Sequence, residues 1–443
     1  MILRQAADRL RESLWFIPGL GLILAVVAAA IMLLISNQLL ATQAHLPLIF
    51  GGGPEGARGM LQAIASSVVT VAGVVFSITV VALQLTSTQF SPRVLRNFMR
   101  DRPTQVTLAI FVATITYSLL VLRTIRSADA DGTGAYVPGL AVTGALLLAF
   151  VSLAMLIYFI HHIGMRIQVS SIIESVTAET LGTIEGLHRE LERLRDQGGG
   201  EVVAAPGAAS AAVAADARTV PARRSGYLQY TDLGALLRLA HDEGLRLALL
   251  VPPGGWVQEH APLFAVEPRD DELGDEARQQ LDEHLCDNVG LGSQRSMRQD
   301  VGFGVQQLVD ICVKALSPGI NDPTTATQCI DRLTQVLVAV GRQDDPPVIL
   351  TDADGVPRLA PRLPNFDALL RQGFEQVRHF GSGMPVVLRH LALSLATLKA
   401  ALPSQRHGPI RREAERVASA AEALTGIDGR EVAAPLAGII DPR

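Results

Sequence analysis

Four long runs of uncharged, mostly apolar residues limit what this chain can fold into. They cover Trp15 to Ser36, Gly59 to about Leu85, Val106 to about Leu122 and Val137 to about His162. Each holds ~17 or more residues with almost no charge, the length a helix needs to cross the hydrocarbon of a bilayer. The pattern predicts four transmembrane helices in residues 1–163.

Charge divides the chain at the same place. Only 18% of its 443 residues are charged, against roughly a quarter in a soluble domain. Residues 1–163 carry ten arginines, no lysine and six acids, whereas 164–443 carry 28 basic and 37 acidic side chains. The first part reads as membrane and the second as soluble, with length for two or three domains. This excludes a soluble cytosolic enzyme and a secreted domain, and with no basic face it excludes a nucleic-acid binder. The expected partners are membrane lipids, further copies of the chain and a permeant ion.

The arginines predict the topology. Arg4, Arg9 and Arg11 precede the first run; Arg93, Arg96, Arg100 and Arg102 lie between the second and third; Arg166 follows the fourth. The positive-inside rule then places both termini in the cytoplasm. Arg123 and Arg126 break the pattern and are read as snorkelling to the outer headgroups. The first run is too long for a secretory signal, and Asp8 and Glu12 flank it, so it reads as an uncleaved helix.

The second run differs from the others. Ser66, Thr70, Gly73, Ser77, Val80, Gln84 and Ser87 recur every three or four residues and share one helical face, while Val68, Val75, Ile78 and Leu85 share the opposite, lipid-preferring face. A stripe of small and polar residues inside a membrane either packs helices together or lines water, and both uses stay open here. Ser66, Thr70, Gly73, Ser77, Gln84 and Ser87 are the candidate pore-lining residues. No run has Asp, Glu, Lys or His in its middle, which argues against a proton-coupled transporter. After the second run, Ser91-Pro92 starts a short amphipathic helix whose basic side carries Arg93, Arg96 and Arg100. It reads either as an interfacial helix on anionic lipid or as the cytoplasmic mouth of a pore, which would favour anions slightly.

The soluble part begins with an extension over 164–196. There Ile173, Val176, Thr180, Ile184, Leu187, Leu191 and Leu194 alternate at three and four residues. This is either a short coiled coil or a helix packing on its own domain. Residues 197–224, rich in Gly, Ala and Pro, read as a flexible linker. A small β/α module is expected over 225–267, a helical subdomain over 268–343 and a hairpin over 344–364 around Asp354-Gly355. C-terminal helices follow over 365–426, then a loose tail over 427–443. Arg298, Asp300, Asp310, Asn321 and Asp322 are the candidate ligand or ion-pair cluster, with structural caps and salt bridges as the competing reading. Cys286, Cys312 and Cys329 are too few and scattered for a disulfide framework or a zinc site. The histidines, including the adjacent His161 and His162, lack metal-ligand spacing, so no metal site is expected.

Two resemblances add to this reading. The stretch PGGWVQEHAPLFAV resembles the turn of a biotinyl/lipoyl-type barrel-sandwich hybrid, but it contains no lysine to carry either group, so the likeness implies no cofactor. FSITVVALQLTSTQFSPRVLRNFMRDRPTQ at 76–105 and RQDVGFGVQQLVDICVKALSPGINDPTTATQCIDRL at 298–333 resemble a family of uncharacterised bacterial predicted membrane proteins, one of the domain-of-unknown-function families. That resemblance implies a multi-span inner-membrane protein with a cytoplasmic domain and no assigned activity. The expected fold class is therefore an α-helical membrane protein with four transmembrane helices and a cytoplasmic α+β domain, helical with a small barrel-sandwich-like β module. The expected function is a homo-oligomeric ion channel whose pore is lined by the second span and whose cytoplasmic domain is regulatory. The alternative is a membrane-anchored sensor or scaffold whose cytoplasmic domain binds a ligand or partner. No nucleophile elbow, phosphate loop, metal motif or paired catalytic carboxylates point to an enzyme.

Overall fold

A computed structural model describes residues 15–41, 50–89, 101–127, 134–166, 168–196, 217–267, 274–345, 349–422, 424 and 427–440. The chain forms two compact units, 1–171 and 172–443.

The first unit is built from α1 (Phe16–Ala41), α2 (Pro54–Gln89), α3 (Arg102–Thr124) and α4 (Gly139–Arg166). All four are long and apolar enough to cross a membrane. α3 is the central helix and packs against α1, α2 and α4. It is also the most buried of the four, and its sequence shows why. Thr104, Thr107, Phe111, Thr114, Ser118 and Val121 recur at three and four residues and are all buried. Thr107 and Thr114 return their hydroxyls to backbone carbonyls one turn back, and Thr114 also meets Ser152 of α4 at 2.9 Å. Tyr117 donates to the Ala141 carbonyl at the start of α4 at 3.0 Å, and Gly144 leaves room for its ring. Interhelical hydrogen bonds of this kind hold transmembrane helices together where no hydrophobic drive exists between them.

The second unit is mostly helical, with two small sheets. Its first helix, α5 (Val169–Asp196), leads to β1 (Arg218–Pro221), β2 (Gly226–Thr231), α6 (Leu233–Asp242), β3 (Arg246–Leu249), β4 (Trp256–Val257), β5 (Pro262–Glu267), α7 (Asp275–Asp287) and β6 (Val289–Gly292). Then come α8 (Val301–Ala315), α9 (Pro323–Gly341), β7 (Leu350–Thr351), β8 (Pro357–Ala360), α10 (Phe366–Phe380), α11 (Pro385–Ala401), α12 (His407–Ala421) and α13 (Ile427–Ile440). The five-stranded sheet has order β1-β5-β3-β8-β7, antiparallel except for the parallel pair β3–β8; the other sheet is antiparallel, β4-β2-β6. β7 and β8 are the hairpin around Asp354-Gly355, with Gly355 at φ 75°.

Several expectations are corrected here. Of the two readings of the α5 seam, the packing of the helix on its own unit is the one seen. Ile173, Val176, Thr180, Ile184 and Leu194 are buried, Leu191 and Leu194 join the core of the sheet region, and Thr183 donates to the Met297 carbonyl at 2.6 Å. The stretch read as linker ends early, because Arg218–Pro221 pairs with β5 as a strand; Val220 fills the core while Arg218 forms a two-pronged bridge to Asp282. β6 lies inside the subdomain expected to be helical, at four residues too short to show a period. Residues 427–440 are a helix instead of a loose tail, since Val432, Leu436 and Ile439 fall on one face and are buried. The helix α6 lies between β2 and β3, and the parallel β3–β8 pair gives the larger sheet a mixed layout.

Candidate functional site

The second span was expected to present a polar stripe, and the structure fixes where that stripe points. Ala57, Leu61, Ile64, Ala65, Val68, Val75, Thr79 and Ala82 form the buried face of α2, packed into the four-helix core. Ser66, Thr70, Gly73, Ser77 and Gln84 lie on the roughly opposite side, all exposed. Val68 and Val75, expected to face lipid, are thus the bundle-facing side; Val69, Val74, Phe76 and Val81, flanking the stripe, are the exposed apolar residues. Among the described residues the stripe lies outside the buried core of its own bundle.

Two of its hydroxyls are satisfied locally. Ser66 Oγ donates to the Gln62 carbonyl at 2.8 Å and Thr70 Oγ1 to the Ser66 carbonyl at 3.0 Å. Such back-bonding lets a hydroxyl face lipid or protein without an orphaned donor. Gly73 has open space where a Cβ would stand, so the helix backbone itself is accessible there. The exposed faces of α1 and α4 look different: Leu22, Ile23, Leu24, Val27, Leu34 on one and Leu147, Phe150, Leu153, Ile157, Ile160 on the other. The α2 backbone continues to Gln89, but the Ser87 side chain lies outside the described residues, as do Arg93, Arg96 and Arg100.

Both ends of the bundle are tied by charged side chains. At one end Arg58 of α2 crosses to α3, donating to the Ile125 carbonyl and to Ser127 Oγ, each at 3.0 Å. It thereby satisfies a carbonyl at the C-terminus of α3, where a cation also suits the helix dipole. At the other end Asp101 caps α3 through Thr104 N–H (3.2 Å) and Thr104 Oγ1 (2.6 Å). The same carboxyl, 5% exposed, holds His162 Nε2 of α4 at 2.9 Å, and the imidazole stacks on Tyr158. Sequence reasoning missed this pair because it considered His162 only beside His161.

The residues proposed as a ligand cluster in the second unit are distributed among separate structural tasks. Asp300 caps α8 through Phe303 N–H at 2.9 Å and forms a two-pronged bridge with Arg295 at 2.8 and 3.0 Å. Burial raises its carboxyl pKa, and the Arg295 guanidinium and the Phe303 amide oppose that rise. Gly254 packs here at φ 77°; any side chain at that position would collide with Asp300. Arg298 lies over the Tyr230 ring, 3.8 Å from its centroid. The neighbouring Gln299 accepts from Thr231 N–H (2.8 Å) and donates to the Thr231 carbonyl (2.9 Å) and to Glu190 of α5 (3.2 Å). Burial raises the Glu190 pKa, which the Gln299 hydrogen bond partly offsets. Asp310 accepts from Gln306 on its own helix at 2.8 Å, ten residues or ~15 Å along α8 from Asp300. Asp322 caps α9 through Thr325, whose hydroxyl and amide lower its pKa. Asn321 precedes it at φ 49°, a conformation Asn tolerates. Asn321 and Pro323 border a surface cleft of about 470 Å³ with Met384, Val386, Arg389, Asp428 and Glu431.

Among the described residues, one grouping has metal-ligand spacing: His241, Asp352 and Asp354, with ligand atoms within 4.8 Å of one another. Asp352 is already engaged. It accepts from Arg358 Nε at 2.7 Å, His241 Nδ1 at 3.1 Å and the amides of Asp354 and Val356. A cation there would sit against the Arg358 guanidinium, so the arrangement serves the hairpin turn and not a metal.

With this geometry in view, the comparisons decide the family. The model for the family described as predicted membrane protein (DUF2254) matches residues 11–397. The chain belongs to that family. It is similar to uncharacterized proteins of Mycobacterium bovis and Mycobacterium tuberculosis, 35% identical over 404 residues, which is 90% of this chain and 74% of each relative. No solved structure matches the chain. The family match covers both stretches that carried the resemblance and all four spans.

Proposed function

We propose that this protein is a homo-oligomeric ion channel of a bacterial inner membrane, with both termini in the cytoplasm and no catalytic activity. One observation carries the reading: the polar side of α2 is turned away from its own bundle, whereas the exposed sides of α1 and α4 are large and apolar. A side-chain amide in a membrane favours a bundle interior or water, and small and hydroxyl residues favour helix–helix contacts. Further copies of α2 are the partners that supply such an interior. Ser66, Gly73 and Ser77 keep the backbones close, and Thr70 and Gln84 supply polar groups along the path. Arg93, Arg96 and Arg100 stand at its cytoplasmic mouth and favour anions there. The second unit regulates opening.

Single-channel recording of the purified protein in a planar bilayer, under asymmetric KCl, tests this. Discrete currents are expected, and Ser77→Leu or Gln84→Leu is expected to abolish or reshape them. Currents unchanged by either substitution would remove the second span from the path. The cleft beside Asn321 supports a second reading, a membrane-anchored sensor or scaffold. Its size is that of a small-molecule site, with an apolar wall and a few polar groups. A stable oligomer that stays electrically silent under all ionic conditions would favour that reading.

A further inference from the structure

The helix that carries the polar stripe also carries two charges near its start, and the structure separates them. Glu55 and Arg58 lie one turn apart, close enough in sequence to form an ion pair. Among the described residues Glu55 enters none. The Arg58 guanidinium is drawn sideways onto two neutral oxygens of the third span's end, Ile125 O and Ser127 Oγ. Glu55 stays exposed on the helix. Steps of three or four residues from it lead through Gly59, Gln62, Ser66, Thr70 and Gly73 to Ser77, all exposed. The acid is therefore in phase with the polar stripe, and the base is not.

We infer that Glu55 sets ion preference at the outer mouth, as one acid per copy in a ring that draws cations to the end of the pore opposite the arginines. This rests on the channel reading and deepens it. The stripe between the two ends is uncharged, so the sign of the field at each mouth is set by the charge standing there. A ring of carboxylates raises the local cation concentration, a ring of guanidiniums the anion concentration. A pore acidic at one mouth and basic at the other passes current unequally in the two directions. The competing role for Glu55 is an acid in the first turn of a helix, complementing the helix dipole. That role affects folding and leaves selectivity alone.

The test is reversal potential in asymmetric KCl for the full chain, comparing the wild type with Glu55→Gln, Glu55→Asp, Ser77→Leu and Gln84→Leu. The carboxamide keeps shape and removes charge; the shorter acid keeps charge and guards against a packing effect. Glu55→Gln is expected to shift the reversal potential toward the chloride equilibrium potential, with several-fold loss of cation over anion permeability, and Glu55→Asp to retain most of the wild-type value. The shift is expected to be larger with dilute salt on the Glu55 side, because screening reaches only ~3 Å at 1 M but ~30 Å at 0.01 M. Currents altered by the stripe substitutions but indifferent to Glu55→Gln would overturn this inference and leave the channel. Currents that are absent, or indifferent to the stripe substitutions, would overturn the channel reading and this inference with it.

Discussion

Asp352 shows at the scale of one residue how a charge is kept in a nearly closed turn. Only 2% of its side chain is exposed. Burial works to raise its pKa, but donors from Arg358, His241 and the Val356 amide outweigh burial and hold it down at about 2. A carboxylate depressed below its unfolded value of about 3.9 contributes stability that is fully present above that value and lost as pH falls toward 2. His241 runs the other way. Its hydrogen bond to Asp352 raises its pKa, so its contribution is present below about 6.5 and lost as pH rises through the raised value. Denaturation of the detergent-solubilised chain should therefore show an acid limb between about pH 4 and 2 that flattens in Asp352→Asn. Arg358→Met leaves the carboxylate without its main counter-charge and should cost about 3 kcal/mol at pH 7, read from urea midpoints. An unchanged midpoint would mean that the backbone amides suffice. The sequence marked Asp354-Gly355 as a turn because the pair of residue types is diagnostic. The role of Asp352 was not visible, since His241 and Arg358 come to it from 111 residues before and 6 after.

Elements meet in this fold through small residues at tight crossings. Gly304 of α8 lies against Thr180 of α5, and a Cβ there would stand 2.7 Å from Thr180 Cγ2 and closer still to its hydroxyl. Thr180 is fully buried and its hydroxyl is bonded to the Val176 carbonyl at 2.6 Å, so it has no easy retreat. Gly304→Ala should destabilise the protein by roughly 1–3 kcal/mol through overpacking, and Thr180→Ala in the same chain should restore most of it. Additive losses in the double variant would show that the two helices do not meet there. Here the sequence was partly legible. The three-and-four alternation of α5 marked a face that packs on something, and Gly302 and Gly304 each leave one side of α8 without a side chain. That these two faces were each other's partner could not be read, because periodicity gives a face without its target. The same limit applied to α3. In α3 the hydroxyls of Thr104, Thr107, Thr114 and Ser118 alternate with Phe111 and Val121, so its stripe is less polar than that of α2 and reads as an ordinary apolar span. β1, β6 and α13 escaped because each holds four to fourteen residues of Gly-, Ala- or Pro-rich sequence, in which a burial period is faint until a partner is known.

For the whole molecule, the central question is what covers the exposed side of α2. Its composition was legible from the sequence alone; its direction, away from the bundle, required the fold. If several copies gather on this side, cysteines placed along it approach one another, while cysteines on the aliphatic sides of α1 and α4 stay apart in lipid. The native thiols interfere little, since Cys312 and Cys329 are buried, and Cys286 can be replaced by Ser. In that background Thr70→Cys and Ser77→Cys should give cross-linked dimers in native membranes under mild oxidation, because a disulfide needs Cβ atoms ~3.5–4.5 Å apart. Leu147→Cys and Leu24→Cys, equally exposed in a single chain, should remain monomeric on non-reducing gels. Val75→Cys points into the chain's own core and should also fail to cross-link. Positions spaced at three and four residues along α2 would then react as a set, tracing a helix–helix seam at a symmetry axis. Equal cross-linking from α4 and α2 would instead indicate random encounter in the bilayer. No cross-linking anywhere would leave a single bundle whose back-bonded hydroxyls face lipid, and would remove the oligomeric seam on α2.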